Sequence, residues 1–120
     1  MSLPSSIRIT DVGPRDGLQN EQATLPVEAK IDLVNRLARS GVAEVEVSSF
    51  VNPQWVPQLA DAAEVFAGIE RVDGVTYSAL VPNMQGWERA RAAGVDRIAV
   101  FTTASETFAQ RNINCTIAES

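Results

Sequence analysis

Residues 43–49 read AEVEVSS. Valines at 45 and 47 alternate with glutamates at 44 and 46, and a period of two predicts a β-strand. The valines suit a face packed on helices. Glu46 then points to the opposite side, towards the interior or mouth of a barrel, where a carboxylate is costly unless a cation or hydrogen-bond donors satisfy it. The competing reading is an edge strand with Glu46 in water.

IRITDV (7–12), VTYSALV (75–81) and RIAVFTT (97–103) predict three further strands. Helical patterns separate them. The first starts at Pro26, carries Glu28 in its first turn, keeps Val27, Ile31, Val34 and Leu37 on one face and stops at Ser40–Gly41. A loop with Pro53 and Pro57 leads to a second, with Leu59, Ala63 and Phe66 on one side. The third is capped by Asn83, runs through Trp87 and Ala90 and ends at Gly94. SETFAQRNINCTIAES (105–120) reads as a loop with at most a short helical turn, ending in a first turn capped by Thr116. Such alternation implies a parallel sheet with right-handed crossovers, either doubly wound or a barrel. Four strands cannot close an eight-stranded barrel, which takes ~250 residues. The expected fold is therefore α/β, the N-terminal half of a (β/α)8 TIM barrel, with about four parallel strands and outer helices, and residues 1–120 as a single partial domain.

Composition narrows the function. Of 120 residues, 45% are hydrophobic and 21% charged, an ordinary globular balance. The net charge is −5 and the ten Lys and Arg are scattered, so neither nucleic acid nor a membrane is expected as a partner. MSLPSSIRIT is not patterned as a secretory leader, and one cysteine, Cys115, excludes an internal disulfide; a cytoplasmic location is expected. There is no histidine, so no imidazole base or metal ligand comes from these residues.

Chemistry in parallel α/β architectures collects at the C-terminal ends of strands. Directly after the first strand comes GPRDGLQNE (13–21). Arg15 is the natural partner for Glu46, since its fork of five donors can hold a carboxylate and still aim donors at a substrate oxygen. Asp16 is then the nearby anion left free, and a hard divalent cation such as Mg2+ or Mn2+ wants carboxylate oxygens. The competing reading of Arg-Asp-Gly is a solvated turn. Trp55 and Trp87 read as packing residues, Asn112 and Asn114 as loop residues, and Cys115, with no base beside it, as a small residue near a helix start.

VGPRDGLQNE, VEVSSFVNPQWVPQLAD and RIAVFTTASETFAQRNINCTIAES together resemble the N-terminal part of the hydroxymethylglutaryl-CoA lyase family, a metal-dependent branch of the TIM-barrel lyases and Claisen-type synthases. The likeness runs from Ile7 to Ser120. Relatives that condense acetyl-CoA with 2-oxo acids usually carry Glu-Gln after the glycine, where this chain has Leu18-Gln19-Asn20-Glu21. The resemblance implies divalent-metal-dependent cleavage of 3-hydroxy-3-methylglutaryl-CoA to acetyl-CoA and acetoacetate, as in leucine degradation, with an acyl-CoA substrate, Mg2+ or Mn2+ as cofactor, and a homo-oligomer at full length. By the same analogy Arg15 is catalytic and substrate-binding, Glu46 is catalytic by orienting it, Asp16 is a metal ligand, and Gln19 and Asn112 contact substrate. The family's remaining metal ligands, two histidines and an asparagine, and its mobile catalytic cysteine lie on later strands. The 120 residues alone are thus expected to be inactive and to expose an apolar edge. Two alternatives stand beside this: a Claisen synthase or aldolase of the same superfamily, which Leu18–Glu21 argues against, and a non-catalytic, self-associating half-barrel, which the cut-off last helix argues against.

Overall fold

A computed structural model describes residues 1–120. Strands β1 (Thr10–Asp11), β2 (Glu44–Ser49), β3 (Thr76–Leu80) and β4 (Arg97–Ala99) form one parallel sheet in the order β1-β2-β3-β4. Helices α1 (Val27–Ala38), α2 (Ala62–Gly68) and α3 (Met84–Ala92) fill the crossovers, and α4 (Glu106–Asn112) follows β4. Strand order equals chain order, as in the wall of a barrel; a doubly wound sheet reverses direction at a switch point. The radius of gyration, 15.3 Å, exceeds the about 13–14 Å of a closed 120-residue domain. This is an open array.

Alternation in β2 sorts the side chains as its sequence predicts. Val45 and Val47 are fully buried among Val34 and Ala38 of α1 and Val65 and Phe66 of α2. Removing each valine from water stabilises the sheet–helix contact by about 1.5–3 kcal/mol. Glu44, Glu46 and Ser78 occupy the other face of the sheet and are also buried. The β2–β3 register shifts between Glu46 and Ser48, an irregularity of the kind that re-aims side chains beside functional sites.

Helix boundaries follow local chemistry. Gly41 takes φ 96°, the left-handed turn that ends α1 and redirects the chain into β2. Asn83 caps α3, its side chain accepting a 2.8 Å bond from the Gly86 amide. A Cβ on Gly86 would lie 2.6 Å from the Phe50 carbonyl oxygen, so glycine is what lets α3 approach the end of β2. Beyond α3, Arg71 donates to the Gly94 and Ala93 carbonyls (2.7 and 3.2 Å) and stacks over Phe66 and Tyr77. Tyr77 completes this corner: its hydroxyl donates to the Glu70 carbonyl (3.0 Å) and accepts from the Val72 amide (2.9 Å).

Several expectations are corrected. The first strand is two residues long rather than six, because the backbone before Thr10 lies outside regular pairing, although the Ile9 carbonyl still accepts from Ala43 and Glu44. Strand β4 ends at Ala99 rather than 103. The second helical pattern splits: Pro57 opens a separate 3-10 turn (Pro57–Leu59), so α2 starts in a new phase and buries Ala62, Val65 and Phe66, leaving Ala63 exposed. Residues 106–112, read as a loop with room for a short helical turn, form the seven-residue α4, capped by Ser105, whose hydroxyl accepts from the Phe108 amide. The Thr116 cap is present as a capping box: Thr116 Oγ1 accepts from the Glu119 amide and Glu119 Oε2 from the Thr116 amide. The expected apolar edge is also seen, with Ile7 and Ile9 before β1 and Val100 and Phe101 after β4 exposed.

At the N-terminal pole of the sheet the Glu44 carboxylate takes Arg8 at 3.0 Å and Arg97 at 2.7 Å. Burial works to raise its pKa. Hydrogen bonding from Ser78 and Arg8, with the charges of Arg97 and Arg8, outweighs burial and holds the carboxyl below its ordinary 4.5.

Candidate functional site

GPRDG is not an open loop. Residues Gly13–Gly17 coil into a single π-helical turn in which the Val12 carbonyl accepts from the amides of Arg15 (3.2 Å), Asp16 (2.7 Å) and Gly17 (3.4 Å). Pro14, near the start, needs no partner for an amide and is buried. The Gly13 amide donates to Asp11 Oδ1 at 2.8 Å. The coil places Arg15 above the C-terminal end of the sheet.

There Arg15 Nε donates to Glu46 Oε1 and Arg15 Nη1 to Asp16 Oδ1 at 3.2 Å. The Glu46 side chain is 10% exposed and that of Arg15 19%. Asp16 is 55% exposed and, against expectation, is not a free anion: it shares the guanidinium with Glu46. Two carboxylates on two separate nitrogens fix the plane of the fork and leave its other N–H groups for a third acceptor.

That acceptor space is a cleft of about 870 Å3. Arg15, Gln19 and Asn112 line it; Asp16 and Glu46 stand behind Arg15 and do not. Asn112 comes from the exposed face of α4, its amide donating to the Phe108 carbonyl within the helix. Three lining residues escaped sequence reasoning as site residues. Trp55, read as packing, is 59% exposed on the cleft wall. Arg89 of α3 lies over the Phe50 ring and donates to the Val51 carbonyl, and Arg111 stands beside Asn112 on α4. Only Arg111 carried a signal, as the neighbour of Asn112 in QRNINC. The cleft wall holds three arginines and no aspartate or glutamate, in a chain of net charge −5. Glu46 and Asp16 already offset Arg15, so the attraction of this wall for an anionic ligand comes chiefly from Arg89 and Arg111.

No group of three or more His, Cys, Asp or Glu side chains is positioned to hold a metal. What the residues around Arg15 offer a hard cation is one accessible carboxylate, Asp16, of which Arg15 uses only Oδ1. This donor suits Mg2+ or Mn2+ but is one of about six needed.

The HMGL-like family model matches residues 6–120. A Pseudomonas aeruginosa protein named 3-hydroxy-3-isohexenylglutaryl-CoA/hydroxy-methylglutaryl-CoA lyase is 56% identical over 120 residues, all of this chain and 40% of the relative. The crystal structure of the HMG-CoA lyase from Brucella melitensis superposes with a TM-score of 0.90 at 59% identity, covering 94% of this chain and 40% of that one. An HMG-CoA lyase from Acinetobacter baumannii, solved with coenzyme A and 3-methylmalate, gives 0.91 at 39% identity, covering 93% of this chain and 37% of that one. The chain thus spans about two-fifths of the length of these relatives, and its four strands are the N-terminal half of their TIM barrel.

Proposed function

The chain belongs to the HMGL-like family, and on that premise we propose that the protein it forms part of is a metal-dependent hydroxymethylglutaryl-CoA lyase, cleaving 3-hydroxy-3-methylglutaryl-CoA to acetyl-CoA and acetoacetate. The observation that carries this reading is the Glu46–Arg15–Asp16 constellation at the mouth of an arginine-lined cleft. A CoA thioester carries three phosphate groups, and this substrate adds a carboxylate, which suits the cleft's charge.

In the reaction the 3-hydroxyl loses its proton, the C2–C3 bond breaks, C3 becomes the ketone of acetoacetate, and the electron pair left on C2 delocalises onto the thioester oxygen before C2 is protonated. The energetic difficulty is that oxyanion. Preorganised donors aimed where the charge develops are worth about 10²–10³ in rate each. Arg15 supplies such donors. Its plane is set by Glu46, and its flexible stem is immobilised before substrate arrives, so little reorganisation is left for the transition state.

Asp16 is the residue of this chain that would hold the divalent cation, with the remaining ligands and the proton-transfer groups coming from outside these 120 residues. A bound cation would supply Lewis-acid polarisation of the substrate oxygens. Gln19 and Asn112 are assigned to substrate contact. Residues 1–120 are then one partial domain, and the homo-oligomer, the cytoplasmic location and the place in leucine degradation belong to the whole protein.

The test is product analysis with the intact enzyme, hydroxymethylglutaryl-CoA and either Mg2+ or Mn2+. Acetyl-CoA and acetoacetate in equal amounts are expected, with loss of turnover on chelation. Condensation of acetyl-CoA with a 2-oxo acid, and no cleavage, would refute the reading in favour of a Claisen synthase. The isolated 120 residues should give no turnover.

A further inference from the structure

Lys30 is the only lysine in the chain, and it is buried at 4% exposure. From α1 its ammonium reaches the 57–61 segment, donating to the Gln58 carbonyl and to both oxygens of Asp61 at 2.8 Å. A buried ammonium is tolerated only when its donors are matched in this way. The Gln58 side chain turns the other way, and its Nε2 donates to the Glu21 carbonyl at 2.9 Å. Gln58 follows Trp55 and Val56, which wall the cleft, and Glu21 closes the segment that carries Arg15, Asp16 and Gln19. Lys30 therefore anchors the backbone of one loop, and that loop's side chain holds the backbone of the other. The two segments are 37 residues apart in sequence.

We infer that Lys30 and Gln58 form a tether that sets the Trp55 wall of the cleft against the Arg15 floor, and that Gln58 is a positioning residue for ligand binding. Without the Gln58–Glu21 bond, both segments keep their internal turns, including the Asn20-to-Gly17 and Glu21-to-Leu18 amide bonds, but must be ordered relative to each other when the ligand binds. That ordering cost falls on binding rather than on the chemical step.

The experiment compares Gln58→Ala, which removes the donor, with Gln58→Lys, which keeps a donor of similar reach, in the intact protein. Gln58 is half-buried and lies outside the hydrophobic core, so neither change empties it. For Gln58→Ala the expected result is a rise in KM for hydroxymethylglutaryl-CoA of about 3–10-fold with kcat within about twofold, since only the ordering term changes. Amide hydrogen exchange over residues 17–25 should quicken while α1 is unaffected. Gln58→Lys should restore both. The inference is overturned if Gln58→Ala leaves exchange over 17–25 unchanged, or if the Ala and Lys variants behave alike. The kinetic arm rests on the lyase reading above and the exchange arm does not, so a protein that loosens as expected but cleaves no thioester refutes the function and keeps the tether. Lys30→Met is a second perturbation: it should quicken exchange over residues 17–25 and 50–61 together, and unchanged exchange in both segments would overturn the Lys30 half of the tether.

Discussion

Replacing Glu46 tests whether the site is built from the sheet upwards. The Glu46 carboxylate is nine-tenths buried, and the Arg15 side chain it holds is about four-fifths buried. Glu46→Gln keeps the volume and one acceptor oxygen for Arg15 Nε but removes the charge. A bond to a charged group contributes about 1.5–3 kcal/mol and a neutral one about 0.5–1.5, so the expected loss of stability is about 1 kcal/mol. Glu46→Leu removes the acceptor as well. Breaking a fully buried pair costs about 3–5 kcal/mol, and the residual exposure of Arg15 together with its Asp16 contact brings the expectation to about 2–3 kcal/mol. Catalysis should suffer more than stability. A guanidinium released from Glu46 can still reach the cleft, but its donors are no longer held on the developing oxyanion. A loss of aim equivalent to about 1.4–2.8 kcal/mol is a 10- to 100-fold fall in kcat, with KM changed far less. Urea denaturation of the intact protein gives the stability series, and steady-state acetyl-CoA release gives kcat. If Glu46→Gln retains kcat within twofold and Glu46→Leu costs less than 0.5 kcal/mol, the carboxylate does not orient Arg15 and the site argument fails.

Arg15→Lys should be nearly as damaging to kcat as Arg15→Met, because one ammonium cannot reproduce bonds made by two guanidinium nitrogens to two carboxylates; near-normal turnover by the lysine variant would contradict this. Gly86→Ala should destabilise the protein by about 1–3 kcal/mol in urea denaturation through its clash with the Phe50 carbonyl, despite a helix-propensity gain of about 1 kcal/mol. Tyr77→Phe should cost about 1–3 kcal/mol by stranding the Val72 amide and Glu70 carbonyl, again read from the urea midpoint. Glu44 has a folded pKa below its ordinary 4.5, so its contribution to stability is fully present above pH 4.5 and is lost as pH falls through the lowered folded value. Stability of wild type and Glu44→Gln, followed from pH 6 downward, should converge in that acid range.

The sheet was legible because its signals are local. Val45 and Val47 alternate with Glu44 and Glu46 and take opposite faces of the sheet, both buried, and glycines punctuate the helix ends. The Arg15–Glu46 pair was legible for a related reason: an inward carboxylate at a strand end needs a donor, and the neighbouring strand end offered one. What stayed hidden depends on contacts that no local period encodes. The coil at Gly13–Gly17 exists because one carbonyl, that of Val12, gathers three amides. Pro57 shifted the phase of α2 by nucleating its own turn, so Ala63 faces water and Ala62 the core. Residues 106–112 lack the apolar stripe of a packed helix and bury only Ala109, so the Ser105 cap was their one readable sign. Arg89 and Trp55 look like any surface arginine and packing aromatic until α3 and the 50–56 segment meet across the cleft.

Strand order matching chain order has a consequence for synthesis. The contacts that assemble the site join neighbouring β/α units: Arg15 to Glu46 and Lys30 to Asp61 each bridge 31 positions, and Arg89 to Val51 bridges 38. Each can form once the next unit has left the ribosome, without waiting for a distant strand. Low sequence separation of this kind favours rapid, vectorial folding. The longer reaches, 53 positions from Arg97 to Glu44 and 68 from Arg8 to Thr76, lie at the opposite pole of the sheet. Glu46 can therefore hold Arg15, and Arg8 can reach Glu44 at the far pole, while β4 is still being translated; Arg97 joins Glu44 only once β4 is made, and α4 closes the cleft last.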